Sequence, residues 1–297
     1  MLAEVRGRAM GTDVHIVVAE HDHALLRGAL ADIADLERRW SRFLPDSEIS
    51  EVNRHAGSPV IVSAPTFELV ARAIDGWLTT DGRFDPTVHD ALVAAGYDRT
   101  FDEIATAPSP RGTPSPGAHG IHLDPVLRAV TLPPGVRLDL GGIGKGAAAD
   151  LVSARVRARG GDGVCIAIGG DVRVRGSSPF GPAWPLTLRS SDGRTRVVET
   201  ADGAACTSTT TRRRWPTTTG SAHHLIDPAT GRPTETDLAT VTVCASDAAD
   251  AEVLTKSAIV LGSTAAADDL ARLAVDAVLE TTTGEIIEVG RIAETVG

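Results

Sequence analysis

Cysteine, basic charge and long apolar runs are all scarce in this sequence, and each scarcity excludes a class of protein. Only three of the 297 residues are cysteines. Cys165, Cys206 and Cys244 lie in apolar or β-branched runs without the spacing of a metal site, so we expect buried free thiols in a reducing compartment. A formal net charge of −10 argues against a surface for nucleic acid or for anionic membranes.

The chain also lacks an apolar segment long enough to cross a membrane. No run approaches the roughly 18 apolar residues of a transmembrane helix, so we predict no membrane span. The first residues, Met1 to Arg6, lack the apolar core of a signal peptide and no lipobox is evident, which predicts a cytoplasmic protein. With 42% hydrophobic residues, the chain is able to bury one large core or two modest ones.

The stretch from Val136 to Asp150 is the part of the sequence best suited to bind a ligand. Alternating Leu138 and Leu140 predict a short strand, which leads through the glycine-rich turn 141–146 into a helix. Glycines let a ligand approach the backbone closely, and the free N–H groups of a first helical turn attract anions. Lys145 adds a positive charge, so a phosphate is the expected ligand.

Two familiar phosphate motifs fit this turn poorly. A P-loop needs Ser or Thr after its Gly-Lys pair, but Gly146 follows Lys145. The segment 142–147 matches a permissive dinucleotide pattern, yet the next strand ends at Gly169-Gly170-Asp171, too late for the usual acidic residue. Glycines that only allow a strand and a helix to pack tightly are an alternative explanation.

Periodicity predicts strands and helices along the rest of the chain. The predicted elements include a strand near Val14–Val18, a helix that ends near Trp40, a helix capped by Ser63, a hairpin that pairs Leu186 and Leu188 with Val197 and Val198 across Ser191-Asp192-Gly193, and an amphipathic helix from about Asp247 to Gly262. The segment 106–120 is rich in Pro, Ser and Gly, which predicts an exposed loop.

Five separated stretches, in this order, resemble the ApbE family, the FAD:protein FMN transferases. They are Met10-Gly11-Thr12, Gly82 to Thr87, Asp139 to Gly146, Ile168 to Asp171, and His224 to Pro228 with Thr230-Gly231. Because these stretches span nearly the whole chain, the resemblance implies one domain, 1–297, with a division into two lobes left open. The implied fold is α+β and T-fold-like, with mixed, largely antiparallel sheets flanked by helices.

The resemblance also implies an activity. ApbE proteins transfer the FMN moiety of FAD to a Thr or Ser hydroxyl of a partner protein and release AMP. Two alternatives stay open: a flavin-binding member without transferase activity, and a hydrolase that cleaves FAD to FMN and AMP. FAD and an acceptor protein are therefore the expected partners.

The resemblance assigns flavin-site positions to residues of this chain. They fall on Met10, Phe43, Arg83, Phe84, Asp85, Lys145, Ala148, Thr207 and Ile226. Met and aromatic side chains can cover an isoalloxazine ring, while Lys145 and the turn N–H groups can bind pyrophosphate. Ordinary core packing is the alternative for Met10, Phe43 and Ile226. His224 is the candidate general base because histidine titrates near neutrality; a hydrogen bond to the Asp227 turn is its alternative role.

The resemblance further implies a Mg²⁺ site, at which this chain departs from the family. The family uses a carbonyl of the glycine-rich turn, here Gly142, together with an Asp and a Thr four residues later. Those two positions fall on Glu252 and Lys256, with Thr255 as the neighbouring Thr. Glu can bind Mg²⁺, but a charged Lys has no lone pair. Either Glu252 and Lys256 form a surface ion pair, or the Lys256 ammonium replaces the metal and makes Lys256 a catalytic residue.

Overall fold

The computed structural model describes residues 2–19, 23–104, 106–107, 109, 112–189 and 195–295. The chain divides into two compact units. Unit 1 comprises Met1–Asp35, Lys145–Thr209 and Thr236–Gly297, and unit 2 comprises Leu36–Gly144 and Thr210–Glu235. One domain over 1–297 stays a prediction.

The helices of the described residues are short to medium in length. In chain order they are α1 (His23–Trp40), α2 (Glu48–Arg54), α3 (Ala64–Thr79), α4 (His89–Ala94), a 3₁₀ turn (Phe101–Glu103), α5 (Gly144–Ala158), α6 (Ala248–Leu261) and α7 (Ser263–Arg272). None of these helices combines the length and the apolar character needed to span a lipid bilayer.

The strands of the described residues pair almost entirely in antiparallel fashion. In chain order they are β1 (Ala3–Ala9), β2 (Thr12–Val18), β3 (Val60–Ile61), β4 (His122–Asp124), β5 (Ala129–Thr131), β6 (Gly163–Ile168), β7 (Asp171–Gly176), β8 (Trp184–Arg189), β9 (Thr195–Thr200), β10 (Asp202–Thr209), β11 (Arg214–Thr217), β12 (Gly220–His223), β13 (Ile226–Asp227), β14 (Arg232–Pro233), β15 (Leu238–Ala245), β16 (Asp276–Thr281), β17 (Ile286–Val289) and β18 (Ala293–Thr295).

Unit 1 is built on an eight-stranded sheet in the order β1-β2-β6-β7-β10-β15-β16-β17. Every neighbouring pair in it is antiparallel. Helix α6 packs on β10 and β15, and α7 packs on β16 and β17. These observations confirm the predicted α+β fold with largely antiparallel sheets.

Strands β8, β9 and β18 of unit 1 form a separate three-stranded sheet. Trp184 and Leu186 of β8 join Val17, Val174 and Ala205 of the large sheet in a buried apolar cluster. Leu186 pairs with Val198 as predicted, whereas Leu188 pairs with Arg196. The predicted turn Ser191-Asp192-Gly193 lies outside the described residues.

The prediction that the helix near 247–262 is amphipathic is wrong. Helix α6 is buried on nearly every side, including Glu252 and Thr255 at 0% exposure. Small side chains explain the difference, because Ala248, Ala249 and Ala251 let the helix lie close to its neighbours. A helix with little exposed surface shows no polar face for the periodicity to reveal.

Unit 2 has a core around Trp215, which packs with Leu92, Ala95 and Ala107, and its indole donates to the Ala95 carbonyl at 2.7 Å. Its short strands form one sheet, β3-β5-β4, and two hairpins, β11–β12 and β13–β14. The predicted exposed loop 106–120 is wrong at Ala107 and Ala118, which are 6% and 2% exposed. Hydrogen bonds hold both places: the Ala107 N–H donates to the Pro216 carbonyl at 3.0 Å, and the N–H of Gly117, next to Ala118, donates to the Thr87 hydroxyl at 3.0 Å.

Candidate functional site

The candidate site of unit 1 centres on one buried carboxylate, Glu252, which two lysines share. Glu252 Oε1 accepts hydrogen bonds from Lys145 Nζ and, at 3.1 Å, from Lys256 Nζ. Lys145 Nζ also lies 2.9 Å from Asp171 Oδ2. Glu252 and Asp171 are 0% and 1% exposed, while the lysine side chains keep 18% and 15% exposure. We call these four residues the lysine–carboxylate cluster; they carry two positive and two negative charges.

The starts of helices α5 and α6 position this cluster by capping one another. Glu252 Oε2 of α6 accepts the Gly146 N–H of α5 at 2.8 Å. In return, Asp150 of α5 accepts the N–H groups of Ala248 and Ala249 at 2.9 and 3.0 Å. Each carboxylate therefore satisfies N–H groups that a first helical turn leaves open. A Cβ at Gly146 would collide with the Ala248 backbone, so the close approach requires glycine there.

Strands β7 and β10 supply the remaining contacts of the cluster. Asp171 opens β7, and its Oδ1 accepts the Thr207 N–H at 3.2 Å. The predicted site residue Thr207 thus contributes through its backbone, while its hydroxyl lies 2.9 Å from that of Thr242. Cys206 donates from its thiol to the Ala248 carbonyl at 3.2 Å, and burial raises its pKa well above the ordinary value.

The charges of the cluster shift its pKa values in opposite directions. Burial alone would lower the pKa of Lys145, but Asp171 and Glu252 outweigh it and the pKa is raised. Burial alone would raise the pKa of Glu252, but Lys145 and Lys256 outweigh it and the pKa is lowered. For Lys256, burial dominates, and its pKa is lowered although Glu252 opposes the shift.

The residues that the resemblance assigns to Mg²⁺ do not fit that ion. Mg²⁺ takes oxygen ligands in a near-octahedral arrangement. One Glu252 oxygen is engaged by Gly146 N–H and the other by two ammonium groups. The Thr255 hydroxyl donates to the Glu252 carbonyl at 2.7 Å and contacts the Ser208 hydroxyl at 2.7 Å. No set of three His, Cys, Asp or Glu side chains suited to a metal occurs in the described residues.

The expected ion pair between Glu252 and Lys256 is present at 3.1 Å, but it is not a surface pair, because Glu252 is fully buried. The scarcity of lysine is a sequence signal for this cluster, and hydrophobic periodicity does not detect it. Of the chain's 29 Lys and Arg residues, only Lys145 and Lys256 are lysines, and the fold places both on the same carboxylate.

In unit 2, the glycine-rich turn is held by an ion pair that we did not predict. Asp139 Oδ2 lies 2.5 Å from Arg42 Nε, and Asp139 Oδ1 accepts the Gly141 N–H at 2.7 Å. The Arg42 guanidinium also lies 4.2 Å from the centre of the Phe43 ring. Gly142, whose carbonyl the resemblance assigns as a Mg²⁺ ligand, follows Gly141 in the same turn and is partly exposed.

The assigned flavin residues near position 84 lie in a hydrogen-bonded turn of unit 2. Asp85 Oδ1 accepts the N–H and the hydroxyl of Thr87 at 2.7 and 2.6 Å, and the Thr87 hydroxyl accepts the Gly117 N–H at 3.0 Å. Burial raises the pKa of Asp85, although the hydrogen bonds from Thr87 act to lower it. Phe84 is 3% exposed, and Arg83 lies 3.5 Å from exposed Asp81.

The other assigned residues occupy different environments. Met10 adopts φ 53° in the two-residue turn between β1 and β2, a conformation uncommon outside glycine. Ala148 is fully buried in α5. Ile226 packs in the Trp215 core of unit 2, and His224 is half-buried between β12 and β13. Within the described part of unit 1, the fold therefore brings together Lys145, Glu252, Lys256 and the Thr207 backbone, with Thr255 bonded to the Glu252 carbonyl.

Solved structures of ApbE proteins share this fold. The crystal structure of the ApbE protein from Thermotoga maritima matches with a TM-score of 0.84 and 25% identity over 97% of each chain. The apo form of flavinyl transferase ApbE from Pseudomonas stutzeri matches with a TM-score of 0.81 and 23% identity, over 99% of this chain and 95% of that one. The second likeness shows the fold alone.

Sequence comparison gives the family. The ApbE family profile matches residues 10–279. The FAD:protein FMN transferase of Haemophilus influenzae is 27% identical over 285 residues, which cover 86% of this chain and 80% of that protein. The enzyme of the same name from Vibrio cholerae is 27% identical over 243 residues, 77% of this chain and 71% of that protein. The chain belongs to the ApbE family.

Proposed function

We propose that the protein is an FAD:protein FMN transferase, which moves the FMN moiety of FAD to a hydroxyl of an acceptor protein and releases AMP. Family membership and the relatives of that name support this activity. The acceptor hydroxyl belongs to a Thr or Ser in this proposal. The proposed location is the cytoplasm, where Cys165, Cys206 and Cys244, all free thiols, would stay reduced.

The observation that carries the proposal is the pair of ammonium groups on Glu252. A pyrophosphate is an anion, and both lysine side chains retain partial exposure. Each ammonium has three donors, and Lys256 uses one of them on Glu252. We therefore assign the FAD pyrophosphate to the side of the cluster that Lys145 and Lys256 expose. Charge neutralisation and positioning account for most catalysis of phosphoryl transfer.

The transfer step exchanges one P–O bond for another. The acceptor hydroxyl oxygen bonds to the phosphorus on the FMN side of FAD, and the bond from that phosphorus to the AMP oxygen breaks. AMP leaves with the electron pair, and the acceptor hydroxyl gives its proton to a base, a role proposed for His224 from its family position alone. Lys145 and Lys256 stabilise the charge that develops on the phosphate oxygens.

The flavin-ring residues are proposed from two further observations. Met10 holds an uncommon backbone conformation, and residues kept in such conformations concentrate at functional sites. Phe43 is partly exposed and its ring is backed by Arg42 and Tyr97, which leaves an aromatic surface for an isoalloxazine ring. Arg83, Phe84, Asp85, Ala148, Thr207 and Ile226 are assigned to the flavin site by family position alone.

Two experiments test the proposal. Titration of the purified protein by flavin fluorescence should show tighter binding of FAD than of FMN, because the cluster addresses the pyrophosphate. Incubation with FAD and an extract of the source cells should yield a protein band that keeps flavin fluorescence after denaturing electrophoresis. Equal affinity for both flavins, together with no covalent flavin, would contradict the proposal.

A further inference from the structure

We propose that the Lys256 ammonium takes the place of a divalent cation at Glu252, so that this protein binds FAD and transfers FMN without Mg²⁺. The inference rests on the proposed function, since FAD is the ligand whose pyrophosphate the two ammonium groups would bind. The residues assigned to Mg²⁺ do not fit that ion, and the Lys256 ammonium supplies a positive charge at Glu252 in its place.

Residue choice is the first support. The chain carries 27 arginines and two lysines among its 29 Lys and Arg residues, so it uses arginine for every cation except these two. Arginine presents a wide planar fork, whereas lysine ends in a compact, strongly hydrated point charge. Of these two groups, a compact ammonium is closer to a metal ion in size and charge density. Both lysines are used on Glu252.

Charge balance is the second support. Lys145 and Lys256 together neutralise Asp171 and Glu252 without any added ion. Removing the Lys256 charge would leave one net negative charge in a buried cluster, which would favour a cation. With Lys256 present, a divalent ion at Glu252 would meet two positive charges, with Lys256 Nζ 3.1 Å from Glu252 Oε1. The two ammonium groups therefore occupy the cation positions beside Glu252 and leave no net negative charge to attract a metal ion.

Burial separates this arrangement from an ordinary helix ion pair. Glu252 and Lys256 stand four residues apart on α6, as in many surface pairs. A pair that only supports a helix needs no burial, and a buried pair is weak evidence for stability. Arg272 and Asp269 on α7 form such a surface pair at 2.7 Å, with 66% exposure of the arginine. They provide the matched control.

The protonation state of Lys256 is the first test, and the two-lysine composition makes it direct. Protein labelled with lysine carrying ¹³C at Cε alone should give only two side-chain signals, which Lys256→Met assigns by deleting one. The groups that face Lys256 are Glu252 on its own helix, Lys145 on α5, Asp171 on β7 and Cys206 on β10. We expect the charged ammonium at the pH of FAD binding. A neutral amine there would overturn the proposal.

Metal dependence is the second test. Calorimetric titration of the native protein with FAD should give the same affinity in EDTA and in MgCl₂. Lys256→Met should weaken FAD binding in EDTA by about tenfold. Lys256→Thr combined with Glu252→Asp should recover the affinity when MgCl₂ is added, whereas Arg272→Met should bind FAD as the native protein does under both conditions.

The outcomes separate this inference from the proposed function. Native protein that binds FAD only with MgCl₂ would overturn the metal replacement and leave the transferase assignment standing. Native protein that binds no FAD under either condition would overturn the proposed function and the inference with it. If the Lys256 variants fail to fold, the native titrations in EDTA and in MgCl₂ still decide the matter.

Discussion

Arg42 and Asp139 of unit 2 form a buried ion pair in which Nε lies 2.5 Å from Oδ2, with 7% and 9% of the side chains exposed. The second Asp139 oxygen accepts the Gly141 N–H at 2.7 Å. The shape of the glycine-rich turn therefore depends on a cation nearly a hundred positions earlier in the chain. Such a dependence is invisible to local periodicity.

Asp139→Ala should lower the free energy of unfolding by about 3–5 kcal/mol, because it leaves a buried guanidinium without its carboxylate. Urea denaturation followed by tryptophan fluorescence measures the change. Asp98→Ala is the matched control, since Asp98 and Arg99 form an exposed pair at 2.8 Å, and it should cost less than about 1 kcal/mol. Equal costs for the two variants would show that the Arg42–Asp139 pair does not hold the turn.

Gly146→Ala should destabilise the protein by about 1–3 kcal/mol, because the added methyl group would overlap the Ala248 backbone and separate α5 from α6. It should also weaken FAD binding, since Gly146 N–H orients Glu252. Gly144→Ala is the control in the same helix: the nearest atom to its Cβ is Trp40 Cε3 at 4.0 Å, so it should be neutral or slightly stabilising. Thermal unfolding of both variants measures the two effects. A Gly146→Ala variant as stable as the native protein would show that α5 and α6 do not approach closely at Gly146.

Lys145→Met should cost about 3–5 kcal/mol of unfolding free energy, because two buried carboxylates, Asp171 and Glu252, lose the ammonium they share. Adding Asp171→Asn should restore part of the loss by removing one uncompensated charge. The readout is a double-mutant cycle from urea titrations. Additive effects of the two substitutions would mean that Lys145 and Asp171 are not coupled.

The free energy of unfolding should fall in mild acid through His223. Its Nε2 lies 3.2 Å from the Thr234 carbonyl and its Nδ1 accepts the Leu225 N–H at 3.3 Å, which fits the neutral ring. Burial lowers its pKa below the ordinary 6.5. Because the folded pKa is the lower one, the stabilisation is complete above about pH 6.5 and is lost as the pH falls towards the lowered pKa.

His223→Gln should remove this part of the acid sensitivity. The chain has nine histidines, so the difference in urea midpoint between native and variant protein, measured at about pH 7.5 and 5.5, isolates His223. A difference that stays constant between the two pH values would show that His223 is not buried in its neutral form.

Sequence reasoning found the fold class and the glycine-rich turn because local pattern and family resemblance both mark them. It missed the burial of α6, because a helix surrounded on all sides has no polar stripe. It also missed Asp171 and Arg42 as partners. Asp171 at the start of β7 meets Lys145 of α5, and Arg42 meets Asp139 from a distant part of the chain. Neither contact leaves a local signal.

The roles of Thr207 and Ser208 on β10 are a further feature that the sequence does not reveal. The resemblance points to Thr207, and Ser208 follows it in sequence. Successive side chains of a strand point to opposite faces, and the fold places the Ser208 hydroxyl 2.7 Å from Thr255 of α6. Only the three-dimensional structure shows that Thr207 serves the cluster through its N–H group.

The most direct test of the transferase assignment is a product balance with FAD. The purified protein is incubated with FAD and a source-cell extract, and AMP, free FMN and protein-bound flavin are quantified by chromatography. We predict one AMP released for each flavin bound covalently to protein, with little free FMN, and we predict that His224→Ala slows both products together. Free FMN in the same amount as AMP, without protein-bound flavin, would instead identify a hydrolase and contradict the transferase assignment.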